Sequence, residues 1–331
     1  MADMKEFLFA PKVQIPLALG FEDDSRIQNI HIWEEDDVWA VRTAMLTGCP
    51  LLLRGEPGSG KSQLARAIAE YFRSPLVKTV VNSRTTIEDL LYRHDAVARL
   101  AEAQILVHGS AERTRDQLDH KYFIYPGPVW WAFNWTNAHN VACESKCEIR
   151  RPETPTAWDG NSPAVLLIDE IDKATSDLPN ALLECFSASQ FLVPFINTHV
   201  KVGETRPIVI VATNEERELP SAFVRRCVVH NLSGFTLQKN TFIDYLVKRG
   251  IAFVEQNGGE KILTEAVLAP VAFAIWEERK RSATDEPKPG LAEFMDLVRA
   301  AVQMQEWPDL GSNLAKMQRY VVDKHRQFRN S

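Results

Sequence analysis

Gly55-Glu56-Pro57-Gly58-Ser59-Gly60-Lys61-Ser62 is the stretch on which the reading of this chain turns. Before it stands Pro50-Leu51-Leu52-Leu53-Arg54, a short apolar run suited to a buried strand. After it comes Gln63-Leu64-Ala65-Arg66-Ala67-Ile68-Ala69-Glu70, with Leu64, Ala67 and Ile68 at helical spacing. Strand, glycine loop and helix start are the context a phosphate-binding P-loop needs. The glycines let backbone N–H groups turn inward around a phosphate with no Cβ in the way. The helix start adds unpaired donors and the positive end of its dipole. Glu56, Pro57, Gly58, Ser59, Gly60, Lys61, Ser62 and Gln63 are therefore candidate nucleotide contacts. Lys61 would reach the β- and γ-phosphates of ATP, and the Ser62 hydroxyl would hold Mg2+. The rival reading, a chance glycine-rich loop before a helix, does not account for the flanks.

A second motif sharpens the first. Ala164-Val165-Leu166-Leu167-Ile168-Asp169-Glu170 is an apolar strand ending in two carboxylates. It shows no alternation, so it reads as a central strand of a parallel sheet covered on both faces. Ligands of such sheets bind at the carboxyl ends of the strands. Asp169 is thus expected to orient the Mg2+ shell and Glu170 to polarise a water for attack on the γ-phosphate. Asp172 is the next carboxylate that could act as the base. An acidic helix cap at Asp169 is the plainer alternative, since a helix is expected over 171–186.

A third strand, Pro207-Ile208-Val209-Ile210-Val211-Ala212-Thr213-Asn214, also ends in a polar residue. Asn214 could hold the attacking water, or could simply form a turn. Downstream lie Arg225 and Arg226, ahead of Cys227. A fixed, forked charge suits a neighbouring subunit's γ-phosphate; a solvated helix face is the alternative.

The order P-loop, Asp-Glu strand, Asn strand and Arg-Arg resembles the AAA+ ATPases, and within them the MoxR type of the helix-2-insert clade. The matching segments are 55–62, Thr86-Ile87-Glu88-Asp89-Leu90-Leu91, Tyr125-Pro126-Gly127-Pro128-Val129, 167–174 and 211–227. The resemblance implies an α/β fold: a P-loop parallel sheet sandwiched by helices, with a C-terminal all-α lid domain. It implies Walker A and B roles for Lys61, Ser62 and Asp169, the catalytic glutamate at Glu170 and sensor 1 at Asn214. Arg226 falls where the family's arginine finger lies, with Arg225 as the near-equal candidate. Asn82, closing an expected strand over 76–81, resembles the residue that restrains the catalytic glutamate in some members; it also reads as a turn former. Ile30, His31, Ile32 and Trp33 fall where the adenine is held. The implied assembly is a ring, a hexamer, acting on a protein client, with a von Willebrand factor A-domain protein as the partner class. One departure stands out. The stretch Pro287-Lys288-Pro289-Gly290-Leu291-Ala292-Glu293-Phe294 carries no sensor 2 arginine, and Lys288, a mobile point charge, is the available substitute.

The chain has 331 residues, 25% charged and 45% hydrophobic, which suits a globular protein of two domains. A net charge of −6 does not point to a dedicated nucleic-acid surface. There is neither an apolar run of spanning length nor a signal pattern, so a cytoplasmic location with no membrane association is the default. The five scattered cysteines fit a reducing compartment, and Cys143 and Cys147 lack a second Cys/His pair for zinc.

Residues 1–26 read as an N-terminal arm, 27–235 as the ATPase core and 236–331 as the helical lid. Helices are expected over 34–47 and 87–103, the latter opening an insert within about 87–160. The insert's aromatic residues Tyr122, Phe123, Tyr125, Trp130, Trp131, Phe133 and Trp135 form either a packing cluster or a surface that grips a partner. Residues 191–201 read as a hairpin with Phe195 near its tip. Lid helices are expected over 237–248, 263–281, 291–305 and 312–327, with a break at Gly250. The basic end 324–329 reads as solvated. Two other functions fit the same residues: a nucleic-acid-directed NTPase motor related to restriction-linked GTPases, and an ATP-binding scaffold with weak turnover.

Overall fold

The computed structural model describes residues 7–8, 16–21, 28–106, 116–147, 151–156, 158, 160–232, 238–258, 263–282, 288–304 and 310–322. In chain order the elements are β1 (Pro16–Phe21), β2 (Gln28–Ile32), α1 (Glu35–Thr47), β3 (Leu51–Arg54) and α2 (Lys61–Phe72). Then come β4 (Leu76–Val80), α3 (Ile87–Leu91), β5 (Tyr92–His94), α4 (Ala96–Ile105), β6 (Ile124–Pro126), α5 (Pro128–Phe133) and α6 (Trp135–Glu144). They are followed by β7 (Val165–Asp169), α7 (Asp177–Ala188), β8 (Gln190–Val193), β9 (Thr198–Lys201), β10 (Ile208–Thr213), α8 (Ser221–Val224) and β11 (Val228–Asn231). Four helices end the chain: α9 (Lys239–Gln256), α10 (Glu265–Arg281), α11 (Leu291–Gln303) and α12 (Leu310–Val321). The chain forms two compact units, one of residues 1–11, 36–53 and 68–230, the other of 12–35, 54–67 and 231–331.

The first unit is built on a five-stranded sheet in the order β11-β3-β10-β7-β4. Leu51–Leu53 and Val165–Ile168 are wholly buried, as strands covered by helices on both faces must be. Ile208 pairs with Val165, and so does Leu76, both in parallel register. The strands β4, β7 and β10 therefore start level and end along one edge. Buried His230 donates through Nε2 to Asp37 Oδ1 at 2.7 Å, tying β11 to α1.

The insert departs from the single helix expected over 87–103. Helix α3 stops where Tyr92 turns extended, and Tyr92, Arg93 and His94 pair antiparallel with Pro126, Tyr125 and Ile124. Asp95 then caps a new helix, accepting from the Ala98 N–H at 2.7 Å. The aromatic cluster is core: Phe123, Trp130, Trp131 and Phe133 are buried, and the last three share a cluster with Leu166 and Ile168 of β7. Trp130 Nε1 donates to Asn137 Oδ1 at 2.8 Å, satisfying its one donor. The hairpin of 191–201 is present as β8 and β9. Phe195, in the short 3-10 turn between them, stacks on the His94 ring at 4.1 Å. Burial, then the neighbouring His120, hold the His94 imidazole below the usual histidine range.

In the second unit β1 and β2 form an antiparallel hairpin, pairing Pro16 with Ile32 and Ala18 with Ile30. The stretch expected to be an extended arm thus contributes a strand. Ile30 shares a core with Phe242, Leu246, Phe253, Leu268, Ile275, Phe294 and Leu297 of the C-terminal helices. Helix α9 runs through Gly250 rather than breaking there. A Cβ on Gly250 would lie 2.9 Å from the Phe294 ring and 3.1 Å from Leu268, so this glycine permits a close helix contact. Among the described residues no helix is long and apolar enough to cross a membrane. The basic stretch 324–329 lies outside the described residues.

Candidate functional site

In the second unit the P-loop follows β3 and feeds α2, as its spacing required. Gly58 and Gly60 take φ of 76° and 97°, a region that side chains rarely adopt. A Cβ on Gly58 would meet Ala292 Cβ at 2.7 Å, so the loop lies against the start of α11. Lys61 is buried, and its ammonium donates to the carbonyls of Gly55 at 2.6 Å and Glu56 at 2.9 Å. Ser59 Oγ lies 3.4 Å from the same nitrogen. The charge is thus poised inside a ring of loop atoms that a phosphate oxygen can replace. The Gln63 side-chain amide donates to the carbonyl of Ile30. This joins the P-loop helix to the strand carrying Ile32, and Trp33 follows directly; both are buried.

Lys288 is exposed and makes no ion pair among the described residues. An arginine does reach the loop, from a position that spacing did not single out. Arg279, near the end of α10, places Nη1 2.7 Å from Glu56 Oε2 and Nη2 2.9 Å from Glu56 Oε1. It also donates to the Pro289 carbonyl at 3.4 Å. The run Glu277-Glu278-Arg279-Lys280-Arg281 reads as a solvated helix end, and only α10's seating reveals that Arg279 is buried.

In the first unit Asn82, Asp169, Glu170 and Asn214 come together on the carboxyl edge of the sheet. The Val81 N–H donates to the Asp169 carbonyl at 2.9 Å, linking the ends of β4 and β7. Asp169 Oδ1 accepts the Glu170 N–H at 3.0 Å, and Lys78 Nζ lies 3.9 Å from Asp169 Oδ2. Glu170 adopts a left-handed backbone, φ 58°, a strained state of the kind that clusters at functional sites. Its Oε2 lies 2.9 Å from Lys173 Nζ, and that hydrogen bond holds the Lys173 ammonium above the usual lysine range. Asn82 does not hold Glu170 here: its Oδ1 accepts the Arg84 N–H at 2.8 Å, the arrangement of a turn former.

Asp172 is 2% exposed, and backbone N–H groups engage both of its oxygens. Its Oδ2 accepts the Glu216 N–H at 3.0 Å and its Oδ1 lies 3.4 Å from the Asn214 N. The turn after β7 thereby fixes the turn after β10. Arg225 and Arg226 follow α8, both exposed, and neither pairs with a carboxylate among the described residues. Cys143 and His139 stand 3.5 Å apart. Among the described residues no group of three or more His, Cys, Asp or Glu side chains could hold a metal ion by itself.

Residues 50–227, more than half of the chain, match the family model described as an AAA domain of the dynein-related subfamily. The chain belongs to that family. It is an AAA+ ATPase, and the P-loop is its nucleotide-binding loop. No curated protein matches this AAA+ chain. Among solved structures it is similar to a candidate ATPase from Cytophaga hutchinsonii, at 13% identity and TM-score 0.37, over 84% of this chain and 78% of that one. It is also similar to a point mutant of RuvB from Thermotoga maritima, at 14% identity and TM-score 0.42, over 86% and 68% of the two chains.

Proposed function

We propose that this ATPase is of the MoxR type, in the helix-2-insert clade, and works as a hexameric ring that remodels or activates a protein. The observation that carries the reading is the Arg225–Arg226 pair, which stands exposed with no carboxylate partner among the described residues. A guanidinium kept free and always charged suits a phosphate supplied by another subunit. The domain plan we adopt is an arm over 1–26, a core over 27–235 and a helical lid over 236–331.

In this mechanism Lys61 turns from its own loop carbonyls to the β- and γ-phosphates. Ser62 and Asp169 would hold Mg2+, which would neutralise phosphate charge. A hydroxyl at the helix start and a carboxylate at a strand end are the hard oxygen donors that ion takes. Glu170 leaves Lys173, accepts a proton from the attacking water, and Asn214 orients that water. Asn82 restrains Glu170 only in a state other than the one described above. Ile32, Trp33 and Gln63 would bound the base side of the cradle, and Lys288 would be a further nucleotide contact.

The protein client is the less constrained part. Helix α4 exposes Val97, Leu100 and Ile105 at helical spacing, which supports a protein partner over nucleic acid. A von Willebrand factor A-domain protein is the class proposed, in the cytoplasm. Multiple-turnover phosphate release separates this reading from an ATP-binding scaffold with weak turnover.

Mixing tests the shared site. Arg226→Ala should lower turnover by about 10³-fold, the range of arginine fingers, while leaving ATP bound. Inactive Arg226→Ala and inactive Glu170→Gln subunits, once mixed, should regain activity at interfaces that pair an intact Glu170 with an intact Arg226. No rescue, or full activity in a demonstrably monomeric sample, contradicts the ring. If Arg225→Ala is the damaging change, the ring stands and the finger is Arg225.

A further inference from the structure

Glu56 puts a carboxylate into the loop that must receive a polyphosphate, and this needs an explanation. A lone anion there would repel the ligand at short range. The fold supplies an opposite charge. Arg279 is 8% exposed, grips both oxygens of Glu56 at 2.7 and 2.9 Å, and lies with its guanidinium carbon 5.8 Å from the Phe242 ring centre. Two parallel N–H···O bonds fix the direction of the carboxylate as well as its charge.

We propose that Arg279 is a positioning residue of the nucleotide cradle: it neutralises and orients Glu56, so that a loop carrying its own carboxylate can accept ATP. The role rests on the P-loop being the ATP site, and it is electrostatic. It therefore has a sign. Removing Arg279 leaves an uncompensated anion beside the phosphates. Removing Glu56 leaves a cation there, which cannot repel them. A clamp that only held shape would lose as much from either change.

The test measures ATP–Mg2+ affinity by calorimetry and turnover on the full-length chain. Arg279→Met should weaken ATP binding and raise KM by about ten-fold or more, with kcat at saturation changed far less. Glu56→Gln should lose far less affinity for ATP than Arg279→Met does. The double variant Glu56→Gln/Arg279→Met should recover most of the affinity that Arg279→Met loses. Arg279→Lys keeps the charge without the fork, and should stay closer to the unaltered protein than Arg279→Met does; it carries the comparison if the methionine variant misfolds. The proposal is overturned if Glu56→Gln weakens binding as much as Arg279→Met and the double variant recovers nothing. It is equally overturned if Arg279→Met leaves affinity unmoved. If Lys61→Ala binds ATP as well as the unaltered protein, the P-loop assignment itself fails, and that result is separate from either outcome for Arg279.

Discussion

The P-loop unit and the sheet unit solve the placing of charge in different ways. Around the P-loop, cationic side chains meet loop oxygens: Lys61 sits among loop carbonyls, and Arg279 holds the Glu56 carboxylate. At the sheet edge the backbone does the placing. Asp169 takes the N–H of its neighbour, Asp172 spans to the turn after β10, and Glu170 is set by a left-handed φ. The Lys61 contacts can be exchanged for a ligand, since a phosphate oxygen can take the place of a loop carbonyl. The sheet-edge contacts cannot be exchanged without moving a strand end. Most of the proposed phosphate contacts thus lie in one unit, and the proposed base and water-orienting residue lie in the other.

Substitutions can break this division. The largest effect is expected from Lys61→Ala, which removes the principal side-chain charge from the loop and should abolish ATP binding in a titration. Unaltered affinity would remove the contrast at its root. A smaller effect is expected at Asp172, in the other unit. Asp172→Ala leaves the part-buried N–H groups of Asn214 and Glu216 without that acceptor. Melting should fall and turnover should drop about ten-fold as Asn214 loosens, with ATP affinity unmoved. Asp172→Asn, which keeps one acceptor oxygen, should fall between. A loss of ATP affinity in these variants would show that the units do not divide the work.

Much of this was legible in the sequence where function and local chain coincide. The P-loop, the end of β7 and the end of β10 are contiguous motifs, and buried strands show as apolar runs without alternation. The C-terminal helices show through their periodicity. What periodicity could not show is contact between distant segments. Arg279 reads as one of five charged residues in a row, and its burial depends on where α10 lies. Gly250 reads as a helix break because the ring of Phe294 is not visible from position 250. The strand at 92–94 lies inside an apparently helical run, and it exists because Tyr125 and its neighbours supply a partner. Asp172 looks like a spare base until its two N–H donors are in place.

Glu170→Gln tests the division of labour most directly, because one substitution should separate the two activities. The amide keeps the shape of the side chain and leaves Asp169 in place, but it cannot take a proton from water. ATP–Mg2+ affinity and steady-state turnover should be measured on the same preparation. The account predicts near-normal affinity with turnover lowered by at least about 100-fold, the scale of a lost general base. Turnover near that of the unaltered protein would contradict it, as would an affinity loss matching that of Lys61→Ala.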